Sequence, residues 1–196
     1  MKKLFAVILT SILAISCLFA DDAADVKQTI MRDIEYSRDC KVSKLLEIYT
    51  RDIVVIEYNG VKSTYKDYEL MRDFLEKNSI EAFLQIVFKA EMKREPDTRE
   101  LMTLQKMAKN ENAKMELKYY QNRMKKLVNS MIDLHLKTIK FKDIKINKGK
   151  TARVIVEFTS YENPRMISKI QEQGVIDLRK ENGTWKICKE VFTRSK

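Results

Sequence analysis

Residues 139–158 read IKFKDIKINKGKTARVIVEF. In this stretch the spacing of apolar residues changes from helical to alternating. Ile139 and Phe141 alternate with lysines, Asn147-Lys148-Gly149-Lys150 supplies a turn, and Ala152, Val154, Val156 and Phe158 form a second alternating set. A period of two places such a set on one face of a half-buried strand. A third run follows at Lys169 to Arg179. The sequence KENGT then turns the chain into Trp185, Ile187, Lys189 and Val191. Four strands separated by short turns predict an antiparallel meander. Trp185 is the chain's only tryptophan, and its place on the last strand predicts that this strand closes the apolar core.

Upstream of Ile139 the pattern is helical. Residues 24–49 place Val26, Ile30, Ile34, Cys40, Leu45 and Ile48 at roughly helical intervals and read as one helix. The β-branched run IVVIEY, 53–58, predicts a strand ending at Asn59-Gly60. Thr64 and Asp67 form a capping box before the face Tyr68, Met71, Phe74 and Leu75. Residues 80–93 predict a further helix that stops before Pro96, and Asp97 with Glu100 opens a long helical region. That region is one helix or two, with the break near Asn110-Glu111-Asn112. Helices gathered ahead of a meander predict an α+β domain.

The opening MKKLFAVILTSILAISCLFA-DD has a positive end, an apolar run and a small residue before an acidic start. These are the parts of an export signal, so residues 1–20 are expected to be removed and the protein to be periplasmic or secreted. The segment AISC also resembles a lipobox, and a lipid on Cys17 would make the product a membrane-anchored lipoprotein. The rest, 21–196, is expected to form a single domain. Loss of the signal removes two lysines and no acids, lowering the formal net charge from +10 to +8. That excess favours anionic partners. The basic residues are interspersed with acids, which speaks against a nucleic-acid-binding stripe. Cys40 and Cys188 are an even pair in a compartment that permits disulfides, and are equally readable as two buried thiols.

The order of elements resembles the nuclear transport factor 2-like superfamily, including its SnoaL-like and ketosteroid-isomerase-like domains. The resemblance is carried by DIVVIEYNGVKSTYKDYELMRDF and by the pair KINKGKTARVIVEF and VIDLRKENGTWKICKEVF, with Gly183, Trp185 and Ile187 as a G-x-W-x-I ending. It implies a cone-like curved antiparallel sheet packed on N-terminal helices and often holding a pocket. Residues 78–137 exceed the family's usual connection and are expected to form a helical insertion.

Candidate site residues are few. His135 is the only histidine, and it flanks the apolar face of its helix, where it is a packing residue or a general base. Glu157 and Asp177 lie opposite the apolar strand sets, where they line a concave pocket or face water. One histidine without a cysteine or carboxylate cluster does not make a structural zinc site. No phosphate-binding glycine loop or hydrolase motif is present, and three of the four glycines sit in turns. No cofactor or metal is therefore expected. Met92, Met102, Met107, Met115, Met124 and Met131 give the insertion flexible side chains that fill a core or line an adaptable surface. Lys114, Lys118, Lys125 and Lys126 could ring such a surface. The function expected from sequence is a non-catalytic envelope module that binds an anionic or apolar ligand or a protein partner. The alternatives are an isomerase-like small-molecule enzyme and a structural homodimer.

Overall fold

A computed structural model describes residues 22–162 and 168–194, and side chains there except those of 111–115. The export segment with Cys17 lies outside the described residues, as do the side chains of Lys114 and Met115. The chain begins with helix α1 (residues 22–38) and α2 (Val42–Ile48). They are two helices and not the single one expected. Cys40 takes a left-handed backbone conformation, φ 52°, and Lys41 N–H closes onto the Tyr36 carbonyl at 2.8 Å. The Asp39-Cys40 corner thereby ends α1 and re-aims the chain.

Strands β1 (Tyr49–Ile56) and β2 (Lys62–Thr64) form a hairpin that leads into α3 (Tyr65–Leu75). Thr64 and Asp67 cap α3 reciprocally, as their spacing predicts. The segment between α3 and the meander holds α4 (Ile80–Met92), α5 (Thr98–Met107) and α6 (Glu111–Thr138). Asp97 and Glu100 form the capping box of α5, and the helical region breaks next to Asn110. Strands β3 (Lys140–Asn147), β4 (Thr151–Tyr161), β5 (Lys169–Glu181) and β6 (Thr184–Arg194) follow. The β5–β6 turn has positive φ at both Asn182 and Gly183, the geometry that matches the twist of a two-residue hairpin.

The six strands lie in the order β2-β1-β6-β5-β4-β3. This corrects the expected cone-like, wholly antiparallel sheet. The sheet is open, with β2 and β3 at its edges, and it is mixed, because β1 runs parallel to β6. A parallel pair requires a long crossover, and here all the chain between β1 and β6 supplies it. Alternation along β6 fixes its two faces but carries no information about the direction of a neighbour so remote in sequence.

The core lies between one face of this sheet and the helices. It joins Val26 and Ile30 of α1 to Val154 and Val156 of β4, Ile176 and Leu178 of β5, and Trp185 and Ile187 of β6. Trp185 is 2% exposed, and its indole N–H donates to Asp22 at 3.1 Å. A second cluster seats Cys40, Phe74, Leu75 and Ala82 against Leu117 of α6. Gly174 is the glycine outside the turns. A Cβ there would lie 2.9 Å from both Phe192 and Val156, so the close approach of these side chains requires glycine.

One irregularity decides what faces the helices. On β6 the residues Trp185 and Ile187 point inward, but the register shifts so that Leu178 opposes Ile187 while Asp177 opposes Lys189. Cys188 is the extra residue of this β-bulge. Beyond it the phase inverts, and Glu190 and Phe192 point inward in place of the expected Lys189 and Val191. A bulge that re-aims one side chain is a recurrent device beside functional cavities.

Candidate functional site

A cavity of about 420 Å³ opens between the inner face of the sheet and the helices α1, α3 and α6. Its apolar wall includes Ile34, Ile132, Val156, Phe158, Ile176 and Phe192. Its polar groups come from several elements. Asp33 enters from α1, Tyr49 from the start of β1, Tyr68 from α3, Glu190 from β6 and His135 from α6.

Asp33 and Glu190 are buried, 9% and 3% exposed. The Tyr49 hydroxyl donates to Asp33 Oδ1 at 2.5 Å, and the Tyr49 and Tyr68 rings meet edge to face at 4.9 Å. Among the described residues no lysine or arginine forms an ion pair with either carboxyl. Burial raises the Asp33 carboxyl from its ordinary 3.8 to about 6, against the opposing hydrogen bond from Tyr49. Burial first, and then the charges of Asp33 and Glu57, raise Glu190 well above the usual carboxylate range. Glu190 Oε1 has no hydrogen-bond partner among the described residues. The cluster therefore holds two carboxyls whose affinities for a proton are both raised, Asp33 to about 6 and Glu190 well above the usual carboxylate range. Such a divided pair is a means of running acid and base chemistry in one site.

His135 stands elsewhere on the wall, its ring 4.6 Å from that of Phe158. Burial lowers its pKa from 6.5 to about 4, so the imidazole is neutral, and its Nε2 is a buried atom without a partner among the described residues. Glu172 also faces inward; the Ser160 hydroxyl donates to it. Among the described residues no group of three or more His, Cys, Asp or Glu side chains is placed to hold a metal ion.

Opposite signs of pH dependence follow for the two polar ends. The folded state holds the Asp33 proton more tightly than the unfolded chain, so this group's contribution is fully present below about pH 4 and is lost as pH rises through about 6. His135 behaves conversely, contributing stability above about pH 6.5 that is lost as pH falls through about 4. Asp33→Asn should gain stability relative to wild type as pH rises over this window, and His135→Phe should gain it as pH falls. Denaturant midpoints at several pH values check both signs.

Of the site residues singled out in the sequence, the structure brings His135 to the cavity. Glu157 and Asp177 face away from it, on the sheet face opposite the helices. Glu157 pairs with Lys142 at 3.0 Å, and Asp177 takes two hydrogen bonds from Arg153 at 2.6 and 2.9 Å. Cys40 and Cys188 are both free. Cys40 packs in the second cluster, whereas the Cys188 thiol donates to the Asp177 carbonyl at 3.2 Å, so the bridge that the cysteine count permitted is absent. Of the methionines, Met124 packs on the second cluster and Met131 lines the cavity, while Met92, Met102 and Met107 are exposed.

Asp33, Tyr49, Tyr68 and Glu190 are not among the site residues expected from the sequence, where Tyr68 is read only as part of an apolar helix face. Asp33 had left a signal: with Val26 and Ile30 it occupies the i, i+4, i+7 stripe of α1, an acid at an apolar position. Glu190 left none, since only the bulge turns it inward.

The chain matches no family model and no curated protein. Solved structures resemble it at a distance. An NTF2-like protein of unknown function from Silicibacter pomeroyi is 7% identical, with 90% of this chain and 98% of that one covered at a TM-score of 0.48. An NTF2-like protein of unknown function from Shewanella oneidensis is 10% identical, with 87% and 98% covered at 0.47. A ketosteroid isomerase-like protein from Erwinia carotovora atroseptica is 10% identical, with 88% and 95% covered at 0.46. These are distant likenesses to the nuclear transport factor 2-like fold.

Proposed function

We propose that the cavity is the active site of an acid–base enzyme acting on a small, mostly apolar carbonyl compound. The observation that carries this reading is the pair of buried carboxyls, Asp33 and Glu190, facing one apolar cavity without a cationic partner among the described residues. Burying acids this way works against stability, so a core with no other role would favour apolar residues here. Asp33, ionised in a substantial fraction near neutrality, removes a proton from the carbon next to the carbonyl. The electron pair of the broken C–H bond moves to the carbonyl oxygen. Glu190, a neutral acid, donates a hydrogen bond to that oxygen as its charge develops. Protonated Asp33 then returns the proton to the same or a conjugated carbon. Atoms balance without a cofactor.

The experiment is deuterium exchange. In heavy water, the wild-type protein should accelerate loss of the acidic C–H signal of β-tetralone above the buffer rate, with the rate rising through about pH 6 as Asp33 ionises. No exchange above buffer between about pH 5 and 8 would overturn the enzymatic reading.

A second reading attaches to the helical segment. Met102, Met107, Tyr119 and Tyr120 are exposed on α5 and α6, and Lys118, Lys125 and Lys126 are exposed on α6. This combination supports a contact surface for an envelope protein or an anionic lipid. The two readings use different parts of the molecule.

A further inference from the structure

Of the polar groups that line the cavity, the acid–base reading uses those around Asp33 and Glu190, and His135 stands apart from them. Asp33, Tyr49 and Glu190 gather where α1 crosses β1 and β6. His135 packs on Phe158 of β4, and β4 is separated from β6 by β5. Two strand spacings are roughly 10 Å, so a single polar atom of a ligand does not serve both places. Between them the wall is apolar, with Val156, Ile176 and Phe192.

Both places carry a buried atom without a partner among the described residues, Nε2 of His135 at one and Oε1 of Glu190 at the other. Buried polar atoms in folded proteins are almost always partnered, so two orphans facing one cavity call for a ligand that supplies both partners. We infer that the substrate is an uncharged hydroxy-ketone, carrying its hydroxyl across an apolar body from its carbonyl, and that His135 is the residue that selects the hydroxyl. The inference rests on the acid–base reading of the same cavity, which places the carbonyl at Glu190.

The hydroxyl follows from the chemistry of a neutral imidazole. A ring nitrogen is a donor in one tautomer and an acceptor in the other, and a hydroxyl can meet either. The lining also speaks against an anionic ligand. Asp33, Glu57, Glu172 and Glu190 are all acids, which disfavours a carboxylate or phosphate. Burial also keeps His135 from becoming the cation that would attract one. This separates the cavity from the anionic ligands that the net charge favours. Those would be met by the outer surface.

The test compares acetophenone with its para-hydroxy derivative, by calorimetry and by chemical-shift changes at Phe158 and Phe192 of the full domain near pH 6.5. The wild type should bind the hydroxy-ketone about tenfold more tightly, the effect of one added hydrogen bond to an otherwise unpaired buried atom. His135→Phe keeps an aromatic ring against Phe158 and should erase the preference, bringing the two affinities together. His135→Gln, which restores a polar atom, should recover part of the preference, a result that mere packing would not give. Equal affinities in the wild type, or a preference that survives in His135→Phe, would overturn this inference and leave the acid–base site standing. Failure of the wild type to bind either ketone would overturn the site itself and the inference with it.

Discussion

Replacing Asp33 by Asn should lower protein-catalysed deuterium exchange of β-tetralone by about 10²–10⁴-fold, the range that a positioned general base supplies. The substitution keeps side-chain size and leaves an amide oxygen to accept the Tyr49 hydrogen bond seen at 2.5 Å. What it removes is the titrating oxygen. The protein should stay folded, because the carboxyl is buried without an ion-pair partner among the described residues and its loss relieves that penalty above about pH 6. A folded Asp33→Asn protein with the wild-type exchange rate would remove Asp33 from the mechanism. The expected loss belongs in kcat as well as in kcat/KM, since the base acts on the reacting carbon and contributes little to holding the apolar body of the ketone.

The second large effect concerns the core. Trp185→Ala should destabilise the domain by about 3–5 kcal/mol, measured as a lowered denaturation midpoint with an unchanged slope. Trp185 is 2% exposed and packs in the cluster with Val26, Ile30, Leu178 and Ile187. Its replacement leaves a void between α1 and the sheet. The Asp22–Lys180 ion pair at 2.7 Å would survive, but the indole N–H that also meets Asp22 would be lost. Trp185→Phe should cost less, because most of the buried apolar area remains. A midpoint unchanged in Trp185→Ala would contradict the placement of the tryptophan at the centre of the core.

Much of this core was legible in the sequence because periodicity reports faces. Ala152, Val154, Val156 and Phe158 alternate in sequence and are buried together, and the capping pairs at Thr64 and Asp97 mark two helix starts within a residue. Periodicity does not report partners or breaks in its own phase. The parallel pairing of β1 with β6 joins Val55 to Glu190 across most of the chain, and no local pattern encodes it. The bulge at Cys188 is one extra residue, yet it exchanges Lys189 for Glu190 on the inner face and so creates half of the site. The same limit explains Glu157 and Asp177. Their alternation with apolar neighbours put them correctly on the opposite face, but the cavity lies on the apolar face, among Val156, Phe158 and Ile176. His135 was visible as the sole histidine on an amphipathic helix. Its role depends on Phe158 and on the missing partner of Nε2, which only the packing reveals.

The central claim is that two carboxyls in one cavity are held in different protonation states near neutrality. Carbon-13 NMR titration of the side-chain carboxyls, assigned with Asp33→Asn and Glu190→Gln, measures this directly. Asp33 should titrate near 6, with Glu190 still protonated when Asp33 has ionised. Titration of both carboxyls at ordinary values near 4 would contradict it.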